Sequence, residues 1–340
     1  MPCGVKLELK KEPSLSHRII TVPAPKDMPS PKMFTPLRKK TNAAKIFNAM
    51  KAAEIVDELD GERLDKKLSA ISAAGATALV AVGFDEDPMT SAEQAVLREN
   101  PAAVLAGLGF ACQASGVSAK KVAVASREEI SRVQKSGLNV SFICAGDRYP
   151  ALAILRRKLA AKGEKVSFIG AQACMALEAA VRRGLVQSET VLTVAGDGVA
   201  QWINCRVRLG TPLREVLALG QPLDETKAVV VGSSVNGRCV TDLSEPVTPM
   251  THCVIAMTRL PQRKQQPCVA CGLCEQVCPR GIIPWMVVQQ LESGEPNPFR
   301  LFNVERCIRC QACSIVCPSQ IPLAAAVELA EKIKEGKCNP

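Results

Sequence analysis

Short apolar runs alternate with helical patterns between residues 78 and 195. The apolar runs predict strands at 78–84, 122–125, 140–144, 166–169 and 191–194. The segments between them predict helices at 91–98, 101–115, 127–135, 150–162 and 172–184. Because β-rich runs that alternate with longer helices form βαβ units, residues 45–190 are predicted to form a Rossmann-like α/β domain with a mostly parallel sheet, opening with a helical stretch at 45–70.

The pattern differs on both sides of this domain. Prolines interrupt residues 1–44, which predicts an extended Pro/Lys-rich arm. Residues 191–260 combine short strands, including 205–209 and 228–231, with one short helix at 212–219, and predict a small α+β module. Residues 261–340 predict a mostly helical C-terminal domain, with helices at 285–291 and 323–333.

Composition narrows the class of protein. With 47% hydrophobic and 22% charged residues, the chain is soluble and globular rather than disordered. It has no apolar run long enough for a transmembrane helix and no apolar leader, so we expect a cytoplasmic protein. The net charge of +10 raises the question of nucleic acid, but the basic residues are scattered and only 3% of residues are aromatic. We therefore expect no nucleic-acid partner.

Cysteine is the outlier, at 16 residues, and eight of them form two runs with identical spacing. Each run reads C-x₂-C-x₂-C-x₃-C-P, the spacing of bacterial ferredoxins with [4Fe–4S] clusters. Separated pairs of ligands are more typical of structural zinc, and a reducing cytosol disfavours disulfides. The eight predicted metal ligands are Cys268, Cys271, Cys274 and Cys278 in the first run and Cys307, Cys310, Cys313 and Cys317 in the second.

The fourth cysteine of each run is predicted to bind the cluster of the other run. In ferredoxins with two clusters, three cysteines of one run wrap one cluster and the fourth is carried away to the neighbouring one. The predicted sets are Cys268, Cys271, Cys274 with Cys317, and Cys307, Cys310, Cys313 with Cys278. Together with the helices at 285–291 and 323–333, this predicts a helical dicluster ferredoxin domain over residues 261–340.

The chain resembles RnfC-type electron-transport subunits and their relatives, the cobalamin-reductase subunit and the electron-transfer protein associated with proline reductase. The resemblance extends beyond the cysteines, over about residues 75–322. It includes the acidic turn at 85–88, the strand-to-helix turn at 170–172 and the segments 194–199 and 209–213. It implies a flavin and NADH domain at 45–190 and a β-grasp-like soluble-ligand-binding module at 191–260.

One stretch departs from that pattern. The family's glycine-rich loop corresponds here to residues 55–64, which hold one glycine and four acidic residues. Glycines let backbone amides approach a phosphate, and carboxylates repel one. The sequence thus argues against FMN and NADH but leaves both open. The weak candidates for cofactor binding are Asp85, Glu86 and Asp87, and the alternative for them is a solvated acidic turn that caps the next helix.

Three functions remain open at this point. The first is an iron–sulfur subunit that passes single electrons through two [4Fe–4S] clusters between partner redox proteins of a larger oxidoreductase complex. The second is a flavin-dependent NADH dehydrogenase subunit, and the third is a non-enzymatic adaptor for a partner oxidoreductase. We expect the first, with no catalytic residue of the chain's own. The basic charge favours partners with an acidic docking surface, in the cytoplasm or peripheral to a membrane complex.

Overall fold

A computed structural model describes residues 5–6, 18–25, 28, 30–37, 41–134, 140–260, 264–293 and 303–336. Its strands are β1 Val5–Lys6, β2 Ile19–Thr21, β3 Ala78–Val82, β4 Ala119–Val124, β5 Ser141–Cys144, β6 Arg148–Tyr149, β7 Val166–Gly170, β8 Glu189–Ala195, β9 Ile203–Arg208, β10 Ala228–Val231, β11 Arg238–Val240 and β12 Cys253–Met257. Its helices are α1 Ala43–Ala53, α2 Leu64–Ala73, α3 Ala92–Glu99, α4 Pro101–Ser115, α5 Arg127–Gln134, α6 Ala151–Ala161, α7 Ala171–Arg183, α8 Leu213–Leu219, α9 Leu273–Val277, α10 Pro284–Ser293, α11 Ala312–Ile315 and α12 Leu323–Lys334. Cys3 and Cys338, near the two ends of the chain, and residues 294–298 lie outside the described residues.

The chain divides into two compact units. One consists of residues 9–146 and 158–259, and the other of residues 1–8, 147–157 and 260–340. Among the described residues, no helix is both long and apolar enough to cross a membrane. The domain boundaries at 44/45, 190/191 and 260/261 stay predictions.

The larger unit contains an all-parallel sheet of four strands in the order β5-β4-β3-β7. All five residues of β3 are buried because helices cover both faces of a parallel sheet. Apolar side chains of the sheet, such as Leu79 and Ile169, share one core with Leu108 of α4 and Leu177 of α7. The α/β class, the parallel sheet and the alternation of strands with helices are confirmed.

A second, mixed sheet of the same unit has the order β11-β10-β12-β8-β9-β2. The strand predicted at 191–194 lies here as β8, which pairs parallel to β12 and antiparallel to β9, and not in the parallel sheet. Residues of the arm contribute the edge strand β2, which pairs parallel to β9. Helix α8 packs on this sheet, and Leu213 and Val216 of the helix belong to its core.

The helix predicted at 45–70 is interrupted. Helix α1 ends because Glu54 adopts a left-handed conformation, with φ of 51°. A tight turn follows, in which the Asp57 N–H donates to the Glu62 carbonyl and the Gly61 N–H donates to the Asp57 carbonyl. Gly61 has φ of 74°, a conformation that glycine adopts without a Cβ penalty. The chain re-enters a helix only at α2, so Ile55 and Leu59 are not on one helical face with Ile46.

Helix α4 crosses α7 closely at a glycine. A Cβ on Gly107 would lie 1.8 Å from the carbonyl oxygen of Cys174, whereas a Cβ on Gly109 would meet nothing within 4 Å. The Gly107-Leu108-Gly109 segment lies within α4 and Leu108 is fully buried. The segment therefore allows close packing of α4 against α7 and is not a phosphate-binding loop.

The smaller unit holds both cysteine runs. Helices α9 and α11 lie within the runs, and α10 and α12 follow them and pack against each other. Two small apolar cores hold these helices together, one around Val287 and Val327 and the other around Val288 and Leu323. This helical arrangement agrees with the predicted C-terminal fold.

Candidate functional site

The two cysteine runs have the same backbone conformation. Three positions in or just after each run adopt positive φ, at identical sequence distances from the first cysteine, so both segments turn the chain in the same way at these points. Outside glycine this conformation is uncommon and is held only where the surrounding structure demands it. The positions are Ala270, Gly272 and Gly281 in the first run (φ 51°, 72° and 69°) and Arg309, Gln311 and Gln320 in the second (φ 54°, 64° and 55°).

The eight cysteines line two cavities, four to each. One cavity, of about 320 Å³ with its open mouth, is lined by Cys268, Cys271, Cys274 and Cys317. The other, of about 360 Å³, is lined by Cys278, Cys307, Cys310 and Cys313. Each cavity thus takes three cysteines from one run and the fourth from the other run.

Backbone amides face the sulfur atoms of these cavities. Such N–H groups stabilise negative charge on sulfur and raise the potential of a bound iron–sulfur centre. The donors are Ala270 to Cys268 Sγ and Arg309 to Cys307 Sγ, both at 3.4 Å, and Ile282 to Cys278 Sγ at 3.3 Å. The cradle therefore fits a sulfur-ligated anionic group.

Burial raises the pKa values of thiols that line the second cavity. Desolvation raises the pKa of Cys310 to about 11 and that of Cys313 to about 12. Such thiols are protonated at neutral pH and are poor nucleophiles. Bound iron would reverse this because a metal deprotonates its thiol ligands. The cysteines consequently suit metal ligation and not nucleophilic catalysis.

A single metal ion fits the structure less well. Across the described ranges, no three His, Cys, Asp or Glu side chains lie close enough together to hold one metal ion. Zinc would need four such ligands converging on one point. Four sulfurs spread around a cavity instead match a group of several atoms.

Six described cysteines lie away from the two cavities. Cys112, Cys174, Cys205 and Cys253 are buried, and burial raises the pKa of each. They behave as small apolar residues. Cys144 and Cys239 are exposed. Cys144 is the last residue of the edge strand β5, which leaves its side chain uncovered.

The acidic side chains of the turn after β3 accept hydrogen bonds from other parts of the fold. Both carboxylate oxygens of Asp85 accept hydrogen bonds at the start of α3, from the Glu93 N–H at 3.3 Å and the Gln94 N–H at 3.1 Å. Asp87 accepts from the hydroxyls of Ser233, at 2.6 Å, and Ser234. Capping of the next helix is thus observed, and the turn is only partly exposed to solvent.

None of the three acidic candidates is fully exposed. Asp87 is buried, and Asp85 and Glu86 are half-buried. Burial raises the pKa of Asp85 to about 6. Because the carboxylates of Asp85 and Asp87 already accept hydrogen bonds from other residues of the chain, few acceptor positions of this turn remain for the hydroxyl groups of a ribose.

Sequence reasoning missed the position of Asp57 and Glu58. Both side chains are buried and reach the first turn of α7, which begins directly after β7. Glu58 accepts from the N–H groups of Gln172, at 2.8 Å, and Ala173, at 2.9 Å, and Asp57 accepts from the Gly170 N–H at 3.1 Å. Their excess of acidic charge was visible in the sequence, but their partners more than 100 residues away were not.

These residues do not fit a bound flavin or dinucleotide. A phosphate at the start of α7 would need the amides that Glu58 already occupies, and it would face two further buried carboxyl groups, Asp57 and Glu93. A second contact closes the same point, since a Cβ at Gly170 would lie 1.8 Å from Glu58 Oε1.

Comparisons with known proteins agree with the cysteine geometry. Residues 267–321 match the family described as 4Fe-4S dicluster domain. The chain is 25% identical, over 239 residues, to the C subunit of the ion-translocating oxidoreductase complex of Rhodobacter capsulatus, and the match covers 64% of this chain and 46% of that protein. It is 24% identical to the protein of the same name from Buchnera aphidicola, over 84% of this chain and 64% of that protein. The chain thus spans about half to two thirds of the length of these relatives.

Solved structures show a similar fold. The chain superposes on a chain of the NAD⁺-reducing [NiFe]-hydrogenase in the H₂-reduced state with a TM-score of 0.54 and 16% sequence identity, covering 88% of this chain and 63% of that one. The air-oxidised form gives a TM-score of 0.53 at 16% identity, over 63% of this chain and 46% of that one. The dicluster domain indicates two [4Fe–4S] clusters, and the relatives confirm the predicted relationship of this chain to RnfC-type electron-transport subunits.

Proposed function

We propose that the chain is an iron–sulfur subunit that passes single electrons between partner redox proteins of a larger oxidoreductase complex. The observation that carries this proposal is the sorting of eight cysteines into two cavities of four, each drawing its fourth cysteine from the other run. When bound there, two [4Fe–4S] clusters would supply one-electron chemistry. The proposed ligands are those eight cysteines.

The chain's own residues would hold and shield the clusters. The four sulfurs of each cavity would hold the iron of one cluster, and apolar side chains line the cavity between the sulfurs. Ile282 and Val327 line the second cavity, and Trp285 and Leu323 line the first. Excluding water in this way lowers the local dielectric constant and helps to set the reduction potential.

Short helices join the two cavities. Cys274 lies in α9 and Cys278 ends that helix, yet these two cysteines line different cavities. Cys313 and Cys317, in and after α11, are related in the same way. Four residues of helix span roughly 6 Å between Cα atoms. The proposed clusters would therefore be close enough for electrons to move between them.

Partners with an acidic surface are part of this proposal. The formal charge of +10 falls to roughly +6 when two oxidised clusters with their thiolates are counted. Two exposed arginines lie near the second cavity: Arg280 is part of its lining, and Arg306 precedes the second cysteine run. Opposite charge on a partner would steer its approach to this surface. The proposed location is the cytoplasm or the cytoplasmic face of a membrane complex.

The experiment is an anaerobic purification with metal analysis. Iron and acid-labile sulfide are measured per chain, followed by electron paramagnetic resonance of the dithionite-reduced protein. We expect about eight irons and eight sulfides per chain, with a spectrum of two interacting clusters. Fewer than about four irons after reconstitution under the same conditions would contradict the proposal.

A further inference from the structure

We infer that this chain closes its own nucleotide crevice with two carboxyl side chains, Asp57 and Glu58, and that it holds neither FMN nor NADH there. The crevice is identified by topology. In the order β5-β4-β3-β7, the chain proceeds from β3 to β4 on one side and later returns to β7 on the other. In open parallel sheets, ligands bind at the carboxyl ends of the strands where the order reverses, which here lies between β3 and β7.

Glu58 occupies this point. Its side chain extends from the turn after α1 to the start of α7, where its two carboxyl oxygens accept one backbone N–H each, from Gln172 and Ala173. The free N–H groups of a helix start are the usual receptor for a phosphate. A carboxyl group supplied by the chain itself accepts hydrogen bonds from two of them.

Further hydrogen-bond donors at the crevice, the Gly170 N–H and the side-chain amide of Gln172, also donate to groups of the chain itself. The Gly170 N–H donates to Asp57 Oδ1. The Gln172 side chain donates to Glu93 Oε1 at 2.7 Å and to the Val191 carbonyl at 2.9 Å, and its oxygen accepts from the Val191 N–H at 2.7 Å. The amides of Gly170, Gln172 and Ala173 could therefore meet a phosphate or a flavin ring only by giving up an internal hydrogen bond.

The charge at the crevice points the same way. Lys67 Nζ lies 2.6 Å from Asp57 and 2.5 Å from Asp60, and so is committed to those two carboxylates. Beside it, Glu58, Glu93 and Asp85 are acidic, and desolvation raises the pKa of each. The same burial that disfavours the charged form of these carboxyl groups would penalise the negative charge of a dinucleotide's phosphates.

This inference deepens the proposed function and rests on it. If the crevice is closed, this chain does not take hydride from NADH, and the electrons that enter its clusters come from a protein donor. The α/β unit then acts as a folded platform and not as a second redox centre. Of the functions left open by the sequence, the flavin-dependent dehydrogenase is the one that this geometry disfavours.

The test uses the full chain with its clusters, purified anaerobically. Released flavin is quantified, and titration calorimetry measures binding of FMN and of NADH. We expect no stoichiometric flavin and no heat of binding for either compound. One FMN per chain, or saturable NADH binding, would overturn the inference. Neither result would change the iron count, so the outcome is separate from that of the cluster proposal.

Hydrogen–deuterium exchange tests the position of Glu58 directly. The amides of Gln172 and Ala173 are expected to be protected in the wild type and to exchange about tenfold faster or more in Glu58→Ala, because each loses its acceptor. Glu62→Ala, a change at an exposed acidic residue of the same stretch, should leave their exchange unchanged. Equal exchange in the wild type and Glu58→Ala would overturn the inference.

Discussion

The Ser319 hydroxyl donates a 2.8 Å hydrogen bond to the carbonyl oxygen of Pro267. Ser319 follows the fourth cysteine of the second run, and Pro267 precedes the first cysteine of the first run. The equivalent pair has the same relationship in reverse, since Arg280 Nε donates to the Arg306 carbonyl at 3.0 Å. Each run is thereby tied to the start of the other, which brings the fourth cysteine of one beside the first cysteine of its partner run.

Exchange of one fourth cysteine tests this crossing. In Cys317→Ser, the cluster held by the first run should be lost or altered while the second run keeps its cluster, so iron should fall from about eight to about four per chain. Metal analysis and electron paramagnetic resonance measure this. Cys239→Ser, at an exposed cysteine outside both cavities, should keep the full iron content. Loss of the second run's cluster in Cys317→Ser would refute crossed ligation.

The close crossing of α4 and α7 predicts opposite outcomes at two neighbouring glycines. Gly107→Ala places a methyl group 1.8 Å from the Cys174 carbonyl oxygen and should lower the free energy of unfolding by about 2–4 kcal/mol. Gly109→Ala meets open space and should be neutral or stabilising by up to about 1 kcal/mol, because alanine favours helix. Chemical denaturation of both variants measures the difference. Equal stabilities would show that the helices do not approach this closely.

The buried carboxyl groups predict that stability falls as the pH rises. Burial and the neighbouring Asp57 raise the pKa of Glu58 to about 8, from 4.5 for an ordinary glutamate. Between these values the unfolded chain is ionised while folded Glu58 retains its proton, so raising the pH favours unfolding. Asp57, Asp85 and Glu93 shift in the same direction. His252, which lies against the Glu58 backbone and has a lowered pKa, opposes the trend only below pH 6.5.

The measurement is the melting temperature between pH 6.5 and pH 8. Wild type should lose stability across this interval, and Glu58→Gln should flatten the decline because the amide cannot titrate. Lys67 and Cys174, which also face this cluster, have raised pKa values that lie above the interval and do not titrate within it. Glu62→Gln serves as the exposed control and should follow the wild type. An identical slope in Glu58→Gln and the wild type would contradict the assignment.

Lys67 predicts a large effect from loss of one charge. Removing it by Lys67→Met leaves the buried carboxyl group of Asp57 without its cation and should cost about 3–5 kcal/mol. The neighbouring Lys66→Met changes an exposed lysine and should stay within about 0.5 kcal/mol of the wild type. Denaturation curves of the two variants give the comparison, and similar losses would contradict a specific role for Lys67.

Local pattern predicted most of the elements. The strand at 228–231 and the helix at 101–115 have the bounds seen in the structure, because their apolar periodicity is strong and their ends carry turn residues. The prediction of a continuous helix over 45–70 was wrong because Glu54 and Gly61 turn the chain, although Asp60-Gly61 is itself a turn signal. Where β2 lies, the sequence predicts only an extended arm, because the pairing of β2 with β9 involves a distant segment.

By itself, the sequence determined the chemistry of the C-terminal unit. The spacing of three cysteines within each run is a local property of the sequence, so it can be recognised without knowledge of the fold. The sequence also predicts which fourth cysteine joins which run, and the lining of the two cavities agrees with that prediction. Only the tertiary structure decided what fills the crevice between β3 and β7, because this depends on contacts between segments far apart in sequence, such as Glu58 with Ala173, which no local pattern specifies. From the sequence, Asp57 and Glu58 are only acidic residues unfavourable for a phosphate. In the folded chain their carboxyl groups accept hydrogen bonds from the amides at the start of α7, where a phosphate would bind.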